Sequence, residues 1–179
     1  MGQYKTGDTV LYSTHGICQI QEQVRRMFGG ESREYYVLKP VYAPDSTIFV
    51  PVENAALVAK MRRILSAAEI RALIQAMPEE NVARLEEETQ RKERCRQILG
   101  SGDRAAMVRM IKAIYEHQKA QQKKGRRLHL SDERYMKEAE KILYEEFAYV
   151  LHISPEQVLP FILEKIQVEE KTEEGALAK

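Results

Sequence analysis

Gly7-Asp8-Thr9-Val10-Leu11-Tyr12-Ser13-Thr14-His15-Gly16-Ile17-Cys18-Gln19-Ile20 reads as two short strands joined by a tight turn. Val10 and Tyr12 lie one pleat apart and so share a face. Gly7-Asp8 is a turn entry, and Gly16 supplies the freedom the chain needs to reverse. Cys18 has the parity of Ile20, on the face expected to be buried.

Outward from this stretch, residues 8–52 read as β, with strands at 8–13, 16–25, 34–40 and 46–51. Phe28-Gly29-Gly30-Glu31 has the character of a hairpin loop. Tyr36 and Leu38 share one face, and Tyr35 and Val37 the other. Ile48 and Val50 point one way and Phe49 the opposite way, which predicts an exposed aromatic that serves binding; a core ring is the alternative. Four or five strands this short cannot build a two-layer sandwich. A small, bent barrel is the economical solution because closure hides strand edges.

From Glu53 the pattern turns helical. Asn54-Ala55-Ala56-Leu57 is a short turn of helix, followed by a connector through Met61–Ile64. Ser66-Ala67-Ala68-Glu69 is a capping box, and Ile70, Leu73, Ile74 and Met77 form an apolar stripe that Pro78 ends. A second helix, from about Asn81 to Leu99, offers only Val82, Leu85, Cys95, Ile98 and Leu99 as inward positions. Its middle, Glu86 to Arg94, is almost wholly polar and reads as exposed or facing a partner. Asp103 is an N-cap after Gly100-Ser101-Gly102. The third helix has the stripe Met107, Ile111, Ile114 and Tyr115. Ser131 is expected to cap a fourth helix, with Tyr135, Ala139, Ile142, Leu143, Phe147 and Val150 inward. Ser154-Pro155-Glu156-Gln157 is a second capping box, with Pro155 at the first helical position. Val158, Phe161, Ile162 and Ile166 dock the last helix, which Pro160 is placed to bend. The fold class is therefore α+β: a β-barrel domain over 1–60, a helical domain of about five helices over 61–168, and a flexible acidic tail over 169–179.

Hydrophobic residues make up 44% of the 179, enough for a packed core, and 31% are charged, which argues for solubility. No apolar run approaches the ~18 residues of a membrane span, and no basic-then-apolar leader is visible. With only two distant cysteines, Cys18 and Cys95, a disulfide framework is not indicated and a cytoplasmic location is expected. The formal net charge of +1 hides an asymmetry. Residues 91–127 hold twelve basic and three acidic residues, against ten and twelve in 1–90 and six and twelve in 128–179. Such a block is the footprint of a polyanion partner; the alternative is a solvated helical face.

Gly7, Asp8, Val10, Tyr12, His15 and Gly16, then Tyr36, Leu38 and Lys39, then Val50, Pro51, Glu53, Asn54 and Ala55 follow one another in order and with few gaps. Together they resemble the opening domain of the CarD/CdnL family of bacterial transcription regulators, a module shared with the transcription-repair coupling factor. Ile98-Leu99-Gly100-Ser101-Gly102-Asp103 and the stretch Leu128 to Ile166 are similar to that family's helical domain. The resemblance implies a Tudor- or SH3-like barrel that grips the β subunit of RNA polymerase by strand-edge pairing. Arg25, Arg26, Phe49, Val50 and Pro51 are the polymerase-binding residues it points to. It implies a helical domain that reaches promoter DNA upstream of the melted region and biases open-complex formation. Arg91, Arg94, Arg96, Lys123, Lys124, Arg126 and Arg127 are then the phosphate contacts, which position a protein without reading sequence. One departure matters. Activating members of the family carry a tryptophan wedge on the second helix; this chain has no tryptophan, and Glu88 stands at the matching position. An adaptor that binds polymerase and a further protein is the rival reading.

Catalysis and cofactors find little support in the sequence. His15 and Cys18 lie three apart, so a Cys/His hydrolase is a second rival, but no third orienting group is nominated. Four scattered histidines and two cysteines lack the paired spacing of a zinc site, and Gly29-Gly30 and Gly100-Ser101-Gly102 lack the frame of a phosphate loop. Glu86-Glu87-Glu88 reads as a solvated helix face. No enzyme activity, cofactor, metal, small-molecule substrate or membrane contact is expected.

Overall fold

The computed structural model describes residues 3–77 and 88–165. Its first part is one antiparallel sheet of five strands: β1 (Thr9–Tyr12), β2 (Ile17–Phe28), β3 (Glu31–Pro40), β4 (Ile48–Pro51) and β5 (Met61–Arg63), in the spatial order β4-β3-β2-β1-β5. Helices follow, so the chain is α+β, consistent with a Tudor-like domain joined to a helical domain.

The opening stretch forms as its sequence requires. β1 pairs with β2 from Leu11↔Ile17 to Thr9↔Gln19, across a single 3₁₀ turn at Ser13–His15. Gly16 closes that turn at φ +73°, and a Cβ there would lie 2.6 Å from a Glu145 carboxylate oxygen. Only glycine meets both conditions. β2 and β3 form the long hairpin. Gly29 and Gly30 both take positive φ, as a tight two-residue hairpin turn demands.

β2 and β3 are longer than expected from the sequence, and the register shifts between Ile20 and Glu22. This bulge reverses the side-chain parity of β2. Cys18 and Ile20 point into the barrel core with Val10, Tyr12, Tyr36, Leu38, Val50 and Met61. Beyond the bulge, Val24 lies opposite Tyr35 and Arg26 opposite Arg33, on the outer face.

α1 (Ala55–Val58) is capped by Asn54, whose side chain accepts from Leu57 N–H. The connector after it contains β5, which pairs with β1 from Tyr12↔Met61 to Val10↔Arg63. The sheet thus runs past residue 60, where the expected domain boundary lay. Three residues with a single apolar side chain, Met61-Arg62-Arg63, carry too little periodicity to announce a strand; long-range pairing with β1 makes it one.

The helical part comprises α2 (Ala67–Ala76), α3 (Glu88–Ser101), α4 (Arg104–Lys123) and α5 (Leu130–Leu151), and residues 155–165 are helical as well (α6). The Ser66/Glu69 capping box forms, and Asp103 caps α4 by accepting from Ala106 N–H. At Ser154, Gln157 reaches back to the backbone N–H at 2.9 Å. Ser131 does not cap α5: it lies inside the first turn, and His129 holds the cap position without a side-chain bond. Tyr115 is exposed rather than inward, while Val108, Met110 and Ala113 are buried on α4. Pro78, Val82, Leu85, Glu86, Glu87, Ile166 and residues 169–179 lie outside the described residues.

One apolar core spans the junction of sheet and helices. Leu11 and Ile17, on the face of β1–β2 opposite the barrel interior, join Ile70, Ile74, Leu99, Met107, Ile114, Ile142, Phe147 and Val158 in a single cluster. Both faces of the opening stretch are therefore buried, one in the barrel and one under the helices. A buried ion pair lies at the same junction. Glu146 accepts from both Arg104 Nε at 2.9 Å and Arg104 Nη2 at 2.7 Å, and from Leu65 N–H at 2.8 Å. Arg104 also donates to the Arg63 carbonyl at 2.8 Å.

Candidate functional site

Two surfaces carry the residues that the sequence points to. The first is the outer face of β2-β3-β4. Register places Val24, Arg26 and Phe28 of β2, Arg33, Tyr35 and Val37 of β3, and Phe49 and Pro51 of β4 on one side of the sheet. Phe28, Tyr35 and Phe49 form an edge-to-face triad with centroid separations of 5.4, 6.3 and 6.3 Å. Such arrangements suit the ring quadrupoles. The Arg26 guanidinium sits 5.2 Å above the Phe49 ring. Tyr35 and Val37 are covered by this layer, while Phe28 keeps 53% of its surface exposed and Met27, at the hairpin tip, 73%.

Arg26 and Arg33 face each other across the ladder, an arrangement that like charges disfavour. Glu31 pairs with Arg33, and Arg26 leans on Phe49. The result is an apolar floor with a charged rim in which Arg26 stands beside the Arg33–Glu31 pair, with Glu22 opposite Val37 on the same side. β4 is an edge strand, next to β3 on one side only. A cleft of about 420 Å³ lined by Arg33, Glu34, Pro51, Glu53, Asn54 and Ala55 opens beside it.

The structure divides the five predicted residues of this surface. Arg26, Phe49 and Pro51 belong to the outer face. Arg25 is exposed but opposite Glu34, on the other side of the hairpin. The Val50 side chain is fully buried in the barrel core, so only its edge-strand backbone is available. Phe28, Arg33, Tyr35 and Val37 were not nominated from sequence. The parity of Tyr35 with Val37 was visible; the bulge that turns Phe28 to the same face was not.

The second surface is the far end of the helical part. α4 rises about 30 Å over its 20 residues, away from the junction. Lys123, at the end of α4, and Lys124, Arg126 and Arg127, between α4 and α5, are exposed there. Glu88 begins α3 at the same end: Lys92 at 2.5 Å holds its carboxyl below the ordinary value, with His129 contributing. Arg94 and Arg96 lie exposed along α3, Arg96 paired with Glu93 at 3.2 Å.

Arg91 departs from the predicted set. It is buried against Asp132, donating from Nε at 3.0 Å and Nη2 at 2.9 Å. This bidentate pair ties α3 to the first turn of α5, so Arg91 is not a surface cation. Burial of a residue in the polar middle of α3 also revises the expectation that this middle is exposed throughout.

His15 and Cys18 do not form a nucleophilic pair. Cys18 is fully buried, its thiol directed to the Gly16 carbonyl at 3.7 Å, and burial pushes its pKa up to about 12. A thiol nucleophile needs the opposite shift. His15 stacks on Tyr12 with a centroid separation of 5.7 Å. Among the described residues, no three His, Cys, Asp or Glu side chains are grouped to hold a metal, and no helix is long and apolar enough to cross a membrane.

Residues 4–65 match the family described as the CarD-like/TRCF RID domain. Residues 4–65 are a CarD-like/TRCF RID domain. The match ends at Leu65, two residues after β5, so it includes the strand that the expected boundary at 60 cut off. This assignment supports a CarD-like factor that interacts with RNA polymerase.

Proposed function

We propose that this chain is a non-catalytic bacterial transcription regulator of the cytoplasm. Its CarD-like domain binds the β subunit of RNA polymerase, and its helical part touches promoter DNA weakly and without sequence specificity, modulating open-complex formation. The observation that carries this reading is the outer face of β2-β3-β4. An aromatic triad with a charged rim, beside an unpaired strand edge, offers both of the elements that peptide-strand recognition uses: backbone groups for pairing and side chains for specificity. The exposed cations of the far end support the DNA part. Each phosphate that they neutralise adds about 0.9 to the log–log salt slope of binding.

Glu88 favours a second reading. A carboxylate at the end that would meet phosphate suits an adaptor whose helices bind protein. Promoter-complex half-life separates the two, measured with wild type, Glu88→Trp and a variant in which Lys123, Lys124, Arg126 and Arg127 are all Gln. The DNA reading expects Glu88→Trp to lengthen the half-life and the loop variant to shorten it. Equal half-lives, with binding to the β subunit intact in a pull-down, establish the adaptor.

A further inference from the structure

A cleft of about 690 Å³ opens where β5 and the end of α1 meet the start of α4, a size within the range of small-ligand sites. Arg62, Arg63 and Arg104 line it, and among the described residues no Asp or Glu does. Val58, Met61 and Leu65 give it an apolar wall. The three guanidinium groups are not equivalent. Arg104 is held by Glu146, and Arg63 by Glu69. Arg62 has no ion-pair partner among the described residues, yet its side chain is held in place. Its Nε donates to the Ser101 carbonyl at 3.1 Å. Its Cγ lies against Gly102, where a Cβ would come within 3.2 Å. Its Nη1 and Nη2 donate to no described residue. Burial raises the Tyr4 pKa and the Arg62 charge opposes that rise, as expected of a guanidinium near the hydroxyl of another lining residue. A neighbouring cleft that shares Arg62 is lined by Glu69 and Asp103, so the acid-free cleft is the one that suits an anion.

We propose that this cleft binds a small organic phosphate, gripped through the free edge of the Arg62 guanidinium. A planar fork of donors matches two phosphate oxygens at once. A cleft lined by charges of one sign concentrates ions of the other. A phosphate monoester, at about −1.5 to −2 charges near pH 7, gains more from that field than a singly charged carboxylate. The apolar wall takes the organic part. The site joins β5 and α1 to Arg104, the first residue of α4, so a bound ligand ties the barrel to the helices.

The test is a titration of the full-length protein, at low and constant ionic strength, with phenyl phosphate, benzoate and phenol as probes. Phenyl phosphate should bind, benzoate about tenfold more weakly, and phenol not at all. Arg62→Gln should weaken phenyl phosphate about tenfold or more. Arg62→Lys, which keeps the charge without the fork, should weaken it less. Ala59→Glu, at an exposed position lining the cleft, sets a carboxylate there and should match Arg62→Gln while leaving Arg62 intact. Arg62 and Ala59 are both exposed, so the variants should keep the fold, which circular dichroism checks. No binding of phenyl phosphate by wild type at millimolar concentration overturns the site. Full affinity in Arg62→Gln or in Ala59→Glu places the phosphate elsewhere on the protein and overturns it too. Equal affinity for benzoate overturns the choice of phosphate.

Discussion

Cys18 shows how burial alone decides the chemistry of a side chain. Its thiol, like that of Cys95, is buried, and desolvation pushes the pair up to about 12 and about 11 from an ordinary 9.0. The unfolded chain ionises first, so the native state binds more protons above pH 9. The stability these thiols support is whole below about pH 9 and is lost as pH rises toward 11–12. Cys18→Ala should cost on the order of 1 kcal/mol at neutral pH and flatten the alkaline limb of stability against pH. Native Cys18 should resist alkylation until the protein unfolds; fast labelling would contradict its burial. Arg91 is the opposite case, a charge drawn inward by a partner. With Asp132 fully buried, Asp132→Ala removes a bidentate buried partner of the guanidinium and should destabilise by about 3 kcal/mol, measurable by urea unfolding. Sequence places Arg91 in a basic block. Nothing local reveals a carboxylate 41 residues away.

At the scale of elements, the β2–β3 hairpin turns sequence into a binding surface. Its glycine turn and alternation were legible, and so were the outward parities of Tyr35 and Phe49. The bulge at Ile20/Glu22 was not, because an extra residue in a strand leaves no mark on composition. Its effect is to carry Arg26 and Phe28 to the face that holds Tyr35 and Phe49. Arg26→Glu replaces a cation on that rim by an anion and removes the contact with the Phe49 ring. If the β subunit presents an acidic group there, binding should weaken by ~1–3 kcal/mol with thermal stability unchanged. A pull-down or titration with the isolated subunit decides it, and undiminished affinity removes Arg26 from the interface. Arg25→Glu, on the other side of the hairpin, is the matched control and should have little effect.

At the scale of the molecule, sheet and helices are not independent bodies. Leu11 and Ile17 contribute to the helical core, α5 passes close to Gly16, and the Arg104–Glu146 pair binds α4, α5 and the segment after β5. Glu146 is wholly buried and the Arg104 side chain nearly so. Glu146→Leu alone strands a buried guanidinium and frees the Leu65 N–H, and should cost about 3–5 kcal/mol. The double variant Arg104→Met/Glu146→Leu should recover much of that loss, since an apolar pair of similar volume removes the unpaired charge. Chemical denaturation of the four proteins forms the cycle, and additive losses would rule out direct coupling. The same packing changes what can be cut away. Any fragment ending before α2 bares Leu11 and Ile17, and one ending at residue 60 also lacks β5 and its pairing with β1, so it should fold less stably than one ending at Leu65.

Sequence alone determined the class of the fold, most strand and helix starts, and the opening-domain resemblance. Those features depend on alternation, caps, glycines and turn residues that act over a few positions. Tertiary structure decided which cations are surface and which are ion pairs, where the fifth strand lies, which face of the hairpin is outward, and that barrel and helices share a core. Each depends on partners tens of residues apart. Burial and pairing across such distances are settled by packing, which no local pattern encodes.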